Sequence, residues 1–566
     1  MNEAPVDRAA LFRRGLAAHR EGRLPEALQC YQELLALDPS HFDTLRLAAS
    51  AMMRSSDPVT ALALLDRALG VDAGHVGVLN DRGVALERLG RPKEALAGYE
   101  RALTIDPAHT EALFNRGNVL AALKRPEEAL ASYAEVIRLK PDHALALQNS
   151  GAVLQMLGRN DEAMTAFGQA LLIRPDHAET WSNRGVALRA LDRPDEALAS
   201  YAEAIRLKPA NAEAFNNRGL AFQDLKRFDE AFASFSEAIR LKPGHDGAFA
   251  NRARLQLLLR RFPAGYSDYR HRVGESDFAG SRQRTTLPRC EPGTLRGRLL
   301  LWAEQGLGDE LFFAGLLPEL LKRDVSVTLT ADRRLHAIFA RSFPQVGLLD
   351  RAVAMRASID GGYDAQAPMG DLARLLDVDA ASVEATRAVY LKADERRREE
   401  MRVKVAALGG RRVCGIAWRS ANKRFSAAKS IDPAQLRPLL DTPDTVFVNL
   451  QYGAVDAELE ALHAQTGFRI HRIEGLDVRE DIDGLAALID ACDAVVTVSN
   501  VTAHLAGALG KRGAVLVPYS KGRLWYWHQG DERSLWYPGL RVFWQDEPSG
   551  WSRPVDACTR WLRGLR

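Results

Sequence analysis

Three short stretches in the second half of the chain hold residue types that can do chemistry. WAEQGLGDELFF sets Gly306 and Gly308 around a tight turn and puts Asp309 at the start of the helix that follows. GIAWRSANKR comes after an apolar run and supplies Ser420, Lys423 and Arg424. VVTVSNVTAHLAGALG passes through Ser499, Asn500 and Thr502 into a helix, whose open N–H groups and dipole favour a phosphate. A fourth set lies in the first half, where Asn115, Asn149, Asn183, Asn217 and Asn251, with Asp81 in phase, recur at one spacing. An amide carries both donors and an acceptor, so such a ladder can clamp the backbone of an extended peptide. The same residues could instead satisfy helix ends or neighbouring carbonyls.

The asparagines belong to an array that must position them. Pro39, Pro107, Pro141, Pro175, Pro209 and Pro243 share a register of 34 residues, with Ala73 in the vacant place. Gly15, Gly83, Gly117, Gly151, Gly185 and Gly219 hold a second register, and Ala27 to Ala231 a third. Tyr31, Leu65, Tyr99, Tyr133, Phe167, Tyr201, Phe235 and Tyr269 hold a fourth. Small residues mark close approach of two antiparallel helices, the ring fills space between neighbouring hairpins, and proline ends the second helix. This order resembles the tetratricopeptide repeat over residues 8–275. The last unit, with Ala253, Gly265 and Tyr269, reads as a degenerate capping repeat. The asparagines fall on the first helix of each repeat, which lines the concave face in that family. Their placement resembles the asparagine ladder of the eukaryotic protein O-linked N-acetylglucosamine transferases.

The helical period fails in a polar, Gly- and Pro-containing stretch, and residues 276–296 read as a linker. Beyond it RLLLWA, VSVTLTA, RVCGIAW, VFVNLQ, DAVVTVS and GAVLVP alternate with amphipathic segments, including helices over Leu311–Leu321 and Leu335–Phe343. That alternation predicts βα units and a largely parallel sheet. The charged segment ADERRREEMRVKV separates two lobes, 297–395 and 411–566, and suits a solvated helix between them. The expected fold class is an α-solenoid of tetratricopeptide repeats followed by an α/β unit with two Rossmann-like lobes, the arrangement called GT-B. The reactive stretches sit beyond strand ends, where such sheets bind ligands.

WAEQGLGDELFF, GIAWRSANKR, KSI, NLQ, TAHLAGALG and WYPGLRVFWQ together resemble the C-terminal half of bacterial tetratricopeptide-repeat glycosyltransferases, which are related to the lipopolysaccharide heptosyltransferases. The resemblance implies that Asp309 is the catalytic base of the Gly306–Gly308 turn. It also implies that Ser420, Lys423, Thr502, Ala503 and His504 hold the nucleotide phosphates of the donor, with Gln451 of NLQ and Asn500 beside them. Lys429 stands where the family has Arg before SI. The family reads VDTAVAHLAG where this chain has VSNVTAHLAG, so Ser499 or Asn500 replaces a carboxylate. A neutral site does not repel a donor that is itself an acid, so a CMP-nonulosonate such as activated pseudaminic acid suits it. Some members glycosylate flagellin, which makes flagellin an acceptor to expect at the repeats. An inactive transferase module serving as a protein scaffold, and a glycolipid acceptor, are the other readings.

Composition narrows these further. The net charge of the 566 residues is +3, from 76 Lys and Arg against 73 Asp and Glu, and gives no global basic field for nucleic acid. Five scattered cysteines without a CxxC pair argue against a disulfide framework or a zinc module. Asp377 with Asp379, and Asp481 with Asp483, imitate a DxD metal motif, yet the first pair heads a helix and the second lies in an acidic turn. No metal and no cofactor beyond the nucleotide-sugar substrate is expected. Asp7, Arg8, Arg13 and Arg14 interrupt what a signal peptide would need, and no run of 18 apolar residues follows, so a cytoplasmic protein without a membrane span is expected. A homodimer is one expected assembly. Trp525, Trp527, Trp536, Tyr537 and Trp544 could stack on a base or sugar, and read first as core of the second lobe.

Overall fold

The computed structural model describes residues 7–274, 283–385, 389–420, 426–519, 524–528, 532–547 and 550–565. The chain divides into two compact units, Met1–Asn217 and Arg218–Arg566. The first is built of helical hairpins, beginning with Arg8–Arg20 and Leu24–Leu37 and ending with Ala178–Ala190 and Pro194–Leu207. Among the described residues sixteen helices run from Arg8 to Tyr269 and form the tetratricopeptide solenoid.

The small register has a sharper cause than helix crossing alone. A Cβ on Gly117 would lie 2.5 Å from the Tyr133 ring, and one on Gly83 2.4 Å from Tyr99. The ring therefore sits inside its own hairpin, against the glycine, instead of filling space between hairpins. Tyr99, Tyr133 and Tyr201 are all fully buried there. Sequence reading also passed over the histidine two residues after each proline. His41, His75, His109, His143 and His177 are N-caps whose Nδ1 accepts a backbone N–H, as in Ala112 N to His109 at 3.1 Å. Asparagine takes that cap once, at Asn211.

The second unit carries two all-parallel sheets. The first comprises β1 (Gly297–Trp302), β2 (Val325–Ala331), β3 (Gly347–Asp350) and β4 (Ala365–Pro368) in the order β3-β2-β1-β4. The second comprises β5 (Arg412–Ala417), β6 (Thr445–Asn449), β7 (Ile470–His471), β8 (Ala494–Val498), β9 (Gly513–Val517) and β10 (Leu540–Trp544) in the order β10-β9-β8-β5-β6-β7. In each sheet the chain grows outward from one strand and then returns to its other side, to β4 beside β1 and to β8 beside β5. Such a reversal opens a crevice at the carboxyl ends of those strands.

Three local expectations change. The helix read over Leu311–Leu321 is two pieces, Leu307–Ala314 and Leu317–Leu320, broken at Gly315, where a Cβ would strike Tyr390 at 2.9 Å. The charged segment is a helix, Glu395–Ala406, but it is only half solvated. Met401 and Val405 are buried, and Arg397 pairs with Asp481 of the second lobe. The degenerate last repeat does not close the array off. Phe262, Tyr266 and Tyr269 of the helix Phe262–Tyr269 are buried in one apolar cluster with Phe313, Leu301 and Trp525. Residues 283–296 also pack: Cys290 N donates to Gln366 O at 2.8 Å along β4.

Candidate active site

The loop leaving β1 carries Glu304, Gln305 and Gly306 into the helix Leu307–Ala314. Gly306 is its N-cap, with φ −78 and ψ 169, and needs no left-handed backbone. Gly308 serves close approach instead: a Cβ there would be 3.1 Å from Cδ2 of His504. The two helices named by sequence, Leu307–Ala314 and Val501–Ala508, pack against each other across the crevice. Glycine in the GLGD turn is thus explained by the opposite lobe, which a local reading of the turn could not supply.

Asp309 stands on the third residue of its helix, half-buried. Burial pushes its carboxyl up to about 6, and the Glu304 charge adds to this. Lys429, the Gly306 backbone N–H and Arg272 pull the other way. Lys429 is only 3% exposed, and burial brings its ammonium down to about 8 against the pull of Asp309. Among the described residues it forms no hydrogen bond or ion pair. His504 is 1% exposed, and its Nδ1 meets the Tyr537 hydroxyl at 2.9 Å. Burial, then the Lys429 charge, lower it to about 3, so the ring is neutral at neutral pH. Trp527 stacks on that ring with centroids 5.7 Å apart, and Tyr526 meets it edge-on.

The start of the helix Val501–Ala508 is organised by Asn500. Its Oδ1 accepts from Ala503 N at 3.3 Å and from the Thr497 hydroxyl at 2.9 Å, and its Nδ2 donates to Arg419 O at 3.1 Å. Gln451 acts similarly on the loop after β5, its Oε1 accepting from Trp418 N at 3.0 Å and Arg419 N at 2.7 Å. Asn500 thus ties the loop after β8 to the loop after β5 at the switch point, Gln451 ties the loop after β6 to that same loop, and Ala503 is fully buried with its N–H taken by the cap. Ser499 accepts from Trp527 Nε1 at 2.9 Å. Ser420 is buried, its N–H 3.4 Å from Ser430 Oγ. Thr502 differs, because its hydroxyl oxygen is buried with no hydrogen-bond partner among the described residues. Unpartnered buried polar groups are rare and ask for an explanation. Lys423 and Arg424 lie outside the described residues.

Gly308, Asp309, Lys429 and His504 are thus brought together at the crevice, while Asn500 and Gln451 shape its walls. The aspartate pairs that imitate a metal motif are engaged elsewhere. Asp379 caps Ser382 N at 2.7 Å, Asp481 caps Gly484 N at 2.8 Å, and Asp483 pairs with Arg341 at 2.9 Å. Among the described residues no group of three or more His, Cys, Asp or Glu side chains is placed to hold a metal ion. No helix among them is long and apolar enough to cross a membrane.

In the first unit the ladder asparagines are half-buried but not equivalent. Asn115 donates to Asn80 Oδ1 and Asn149 to Asn118 Oδ1, both at 2.9 Å. Asn183 and Asn217 make no side-chain hydrogen bond among the described residues. In the second unit Asn251 accepts from Arg254 at 3.1 Å.

Sequence reasoning missed a buried ionic cluster. Arg272, after the last repeat helix, is fully buried between Glu304 and Asp371. No local signal marks it, since its partners are 32 and 99 residues away.

Models of the tetratricopeptide repeat match residues 8–41, 46–110, 110–143, 142–210 and 183–246. Among curated proteins, Protein FlbA of Caulobacter vibrioides is 33% identical over 285 residues, 48% of this chain and 47% of that protein. The chain thus spans about half the length of the curated relative it matches. A solved tetratricopeptide repeat protein from Parabacteroides merdae is 18% identical, with TM-score 0.37, covering 43% of this chain and 97% of that one. YrrB, described as a TPR protein with an unusual peptide-binding site, is 23% identical, with TM-score 0.29, covering 32% and 95%. The N-terminal part of this chain is a tetratricopeptide-repeat array, and an α/β unit of two parallel sheets follows it.

Proposed function

We propose that the chain is a GT-B-type protein O-glycosyltransferase that binds an acceptor protein through its repeats and transfers a sugar from a nucleotide donor to a Ser or Thr hydroxyl. One observation carries the reading: Lys429 is almost wholly buried, has no counter-charge in contact among the described residues, and lies in the field of Asp309 at the crevice. A desolvated cation without a partner is costly unless a ligand supplies the anion. The unpartnered Thr502 hydroxyl, on a helix start at the same switch point, favours phosphate as that anion. Asp309 then takes the acceptor proton as the oxygen attacks the anomeric carbon, and Lys429 stabilises the departing nucleotide. A carboxyl titrating near 6 is a base at neutral pH, so the rate should rise through that pH. A CMP-nonulosonate donor and a flagellin acceptor, in the cytoplasm and without a metal, are the finer form that the heptosyltransferase-like motifs favour, with a homodimer as one assembly.

Titration calorimetry with CMP, CDP and UDP tests the donor half. One of them should bind, and Lys429→Met should weaken it roughly ten- to a hundredfold, the loss expected for a charge-assisted contact. A chain that binds none of the three would favour the scaffold reading. For the acceptor half, Asn149, Asn183 and Asn217 replaced together by Ala should raise the acceptor KM and leave nucleotide affinity unchanged. Each lost amide costs about 0.5–1.5 kcal/mol. Intact mass of candidate acceptors, incubated with donor and either protein, reads the transfer.

A further inference from the structure

The last repeat does more than fill apolar space. Arg272 donates through Nε to Glu304 Oε1 at 3.0 Å and through Nη1 to Asp371 Oδ1 at 2.9 Å. A second Nη1 contact, 2.9 Å from Tyr269 O, and a guanidinium 4.4 Å over the Tyr269 ring fix its fork. Glu304 Oε1 also accepts from Gly370 N at 3.2 Å, while its Oε2 is buried with no partner among the described residues. Beside it, Gln305 Nε2 donates to the Tyr269 hydroxyl at 2.9 Å. Arg289 closes the cluster on Asp371 at 2.8 Å. Two consecutive residues of the loop that enters Asp309's helix are thus gripped by Tyr269 and Arg272, one helical turn apart at the end of the array.

We propose that the last repeat is a working part of the Asp309 site, with Arg272 as a positioning residue that fixes the Glu304–Asp309 turn and balances the Glu304 charge beside the base. This rests on the reading of Asp309 as the base. The groups that act on its carboxyl are Glu304 on the loop before its helix, Lys429 on the short helix Ser426–Lys429 after β5, the Gly306 N–H and Arg272 from the repeat. Tyr269, Tyr526 and Tyr537 also feel the Asp309 charge. Glu304 and Arg272 oppose each other there. Recognition and chemistry therefore share a structural piece, and the array's final hairpin holds the loop that carries the charge beside the base.

The full chain tests this without any sugar. Stability is followed against pH for the parent, Glu304→Gln, Arg272→Met, Arg272→Lys and the double variant Arg272→Met with Glu304→Gln, each with Asp309 intact and again with Asp309→Asn added. The pH at which the two members of each such pair diverge reports the carboxyl alone. It should fall on the order of one pH unit in Glu304→Gln, rise by a smaller amount in Arg272→Met, and return toward the parent in Arg272→Lys and in the double variant. If Arg272→Met does not fold, Glu304→Gln still decides, since its amide keeps the contact shape. An unmoved midpoint in Glu304→Gln overturns the proposal. Sugar transfer with an unmoved midpoint leaves the function standing and this inference fallen. A moved midpoint without transfer from any donor does the reverse.

Discussion

Asp309→Asn should lose sugar transfer by a factor on the order of 10²–10⁴ and yet be more stable than the parent at neutral pH. The loss follows from removing a general base while keeping its shape. The gain follows from linkage. Burial and Glu304 raise the folded carboxyl to about 6, above an unfolded value near 3.9. The protonated acid therefore suits the fold, its stabilisation is full below the unfolded value, and it is lost as pH rises through 6. An amide never ionises, so the variant escapes that loss. Discounted for the part of the side chain left in water, the gain is on the order of 1–2 kcal/mol at pH 7.5 and vanishes near pH 4. Thermal melts at both pH values, with steady-state transfer assays, measure the two effects together. Unchanged turnover would remove Asp309 from catalysis, and equal melts at pH 7.5 would show that its carboxyl is not held up by the fold.

A fragment beginning at residue 290 should fail to fold, whereas one beginning at Asn211 should melt cooperatively. The shorter piece contains both sheets, which sequence reading treats as a self-sufficient pair of lobes. It lacks Phe262, Tyr266 and Tyr269, each almost fully buried in the cluster that joins Phe313 and Trp525. Burying such a ring is worth about 1.5–3 kcal/mol. It also lacks Arg272, which leaves Glu304 and Asp371 without their shared guanidinium, and breaking a buried pair costs about 3–5 kcal/mol. Together these approach the whole stability of an ordinary domain. Soluble yield and circular dichroism melts of the two fragments decide it. A 290–566 fragment melting within a few degrees of the longer one would mean that the last repeat is merely apposed.

Legibility followed the range of the interactions. The repeats were readable because glycine, ring and proline meet within one hairpin, so their spacing survives in sequence. Strands β1, β2, β5, β6, β8 and β9 announced themselves as apolar runs buried on both faces. β3, β4, β7 and β10 did not, being short or edge-lying: AQAP contains a proline, and Ile470–His471 is two residues long. The turn at Gly306–Asp309 and the helix start at Thr502 were found by residue type, but the tight space that favours glycine at 308 is set by His504, 196 positions away in the chain. Asn500 and Gln451 were legible as polar residues in the right loops and not as braces, since nearly all their partners are backbone atoms that no side-chain pattern reveals. Arg272 was invisible for a different reason: its place in a repeat gave no hint of two carboxylates waiting outside the array.

The histidine caps have a spectroscopic consequence. A ring nitrogen that accepts an amide proton cannot carry one, so every capping imidazole must keep its proton on Nε2. His41, His75, His109, His143, His177 and His245 each accept at Nδ1 from the backbone three residues on, at 3.1–3.4 Å. Nearly half of the 13 histidines are therefore locked in a single tautomer by the helix starts they serve. In nitrogen-15 spectra the array should present these rings as a family of near-identical signals, a resonance signature of intact repeats that fades wherever a helix start frays.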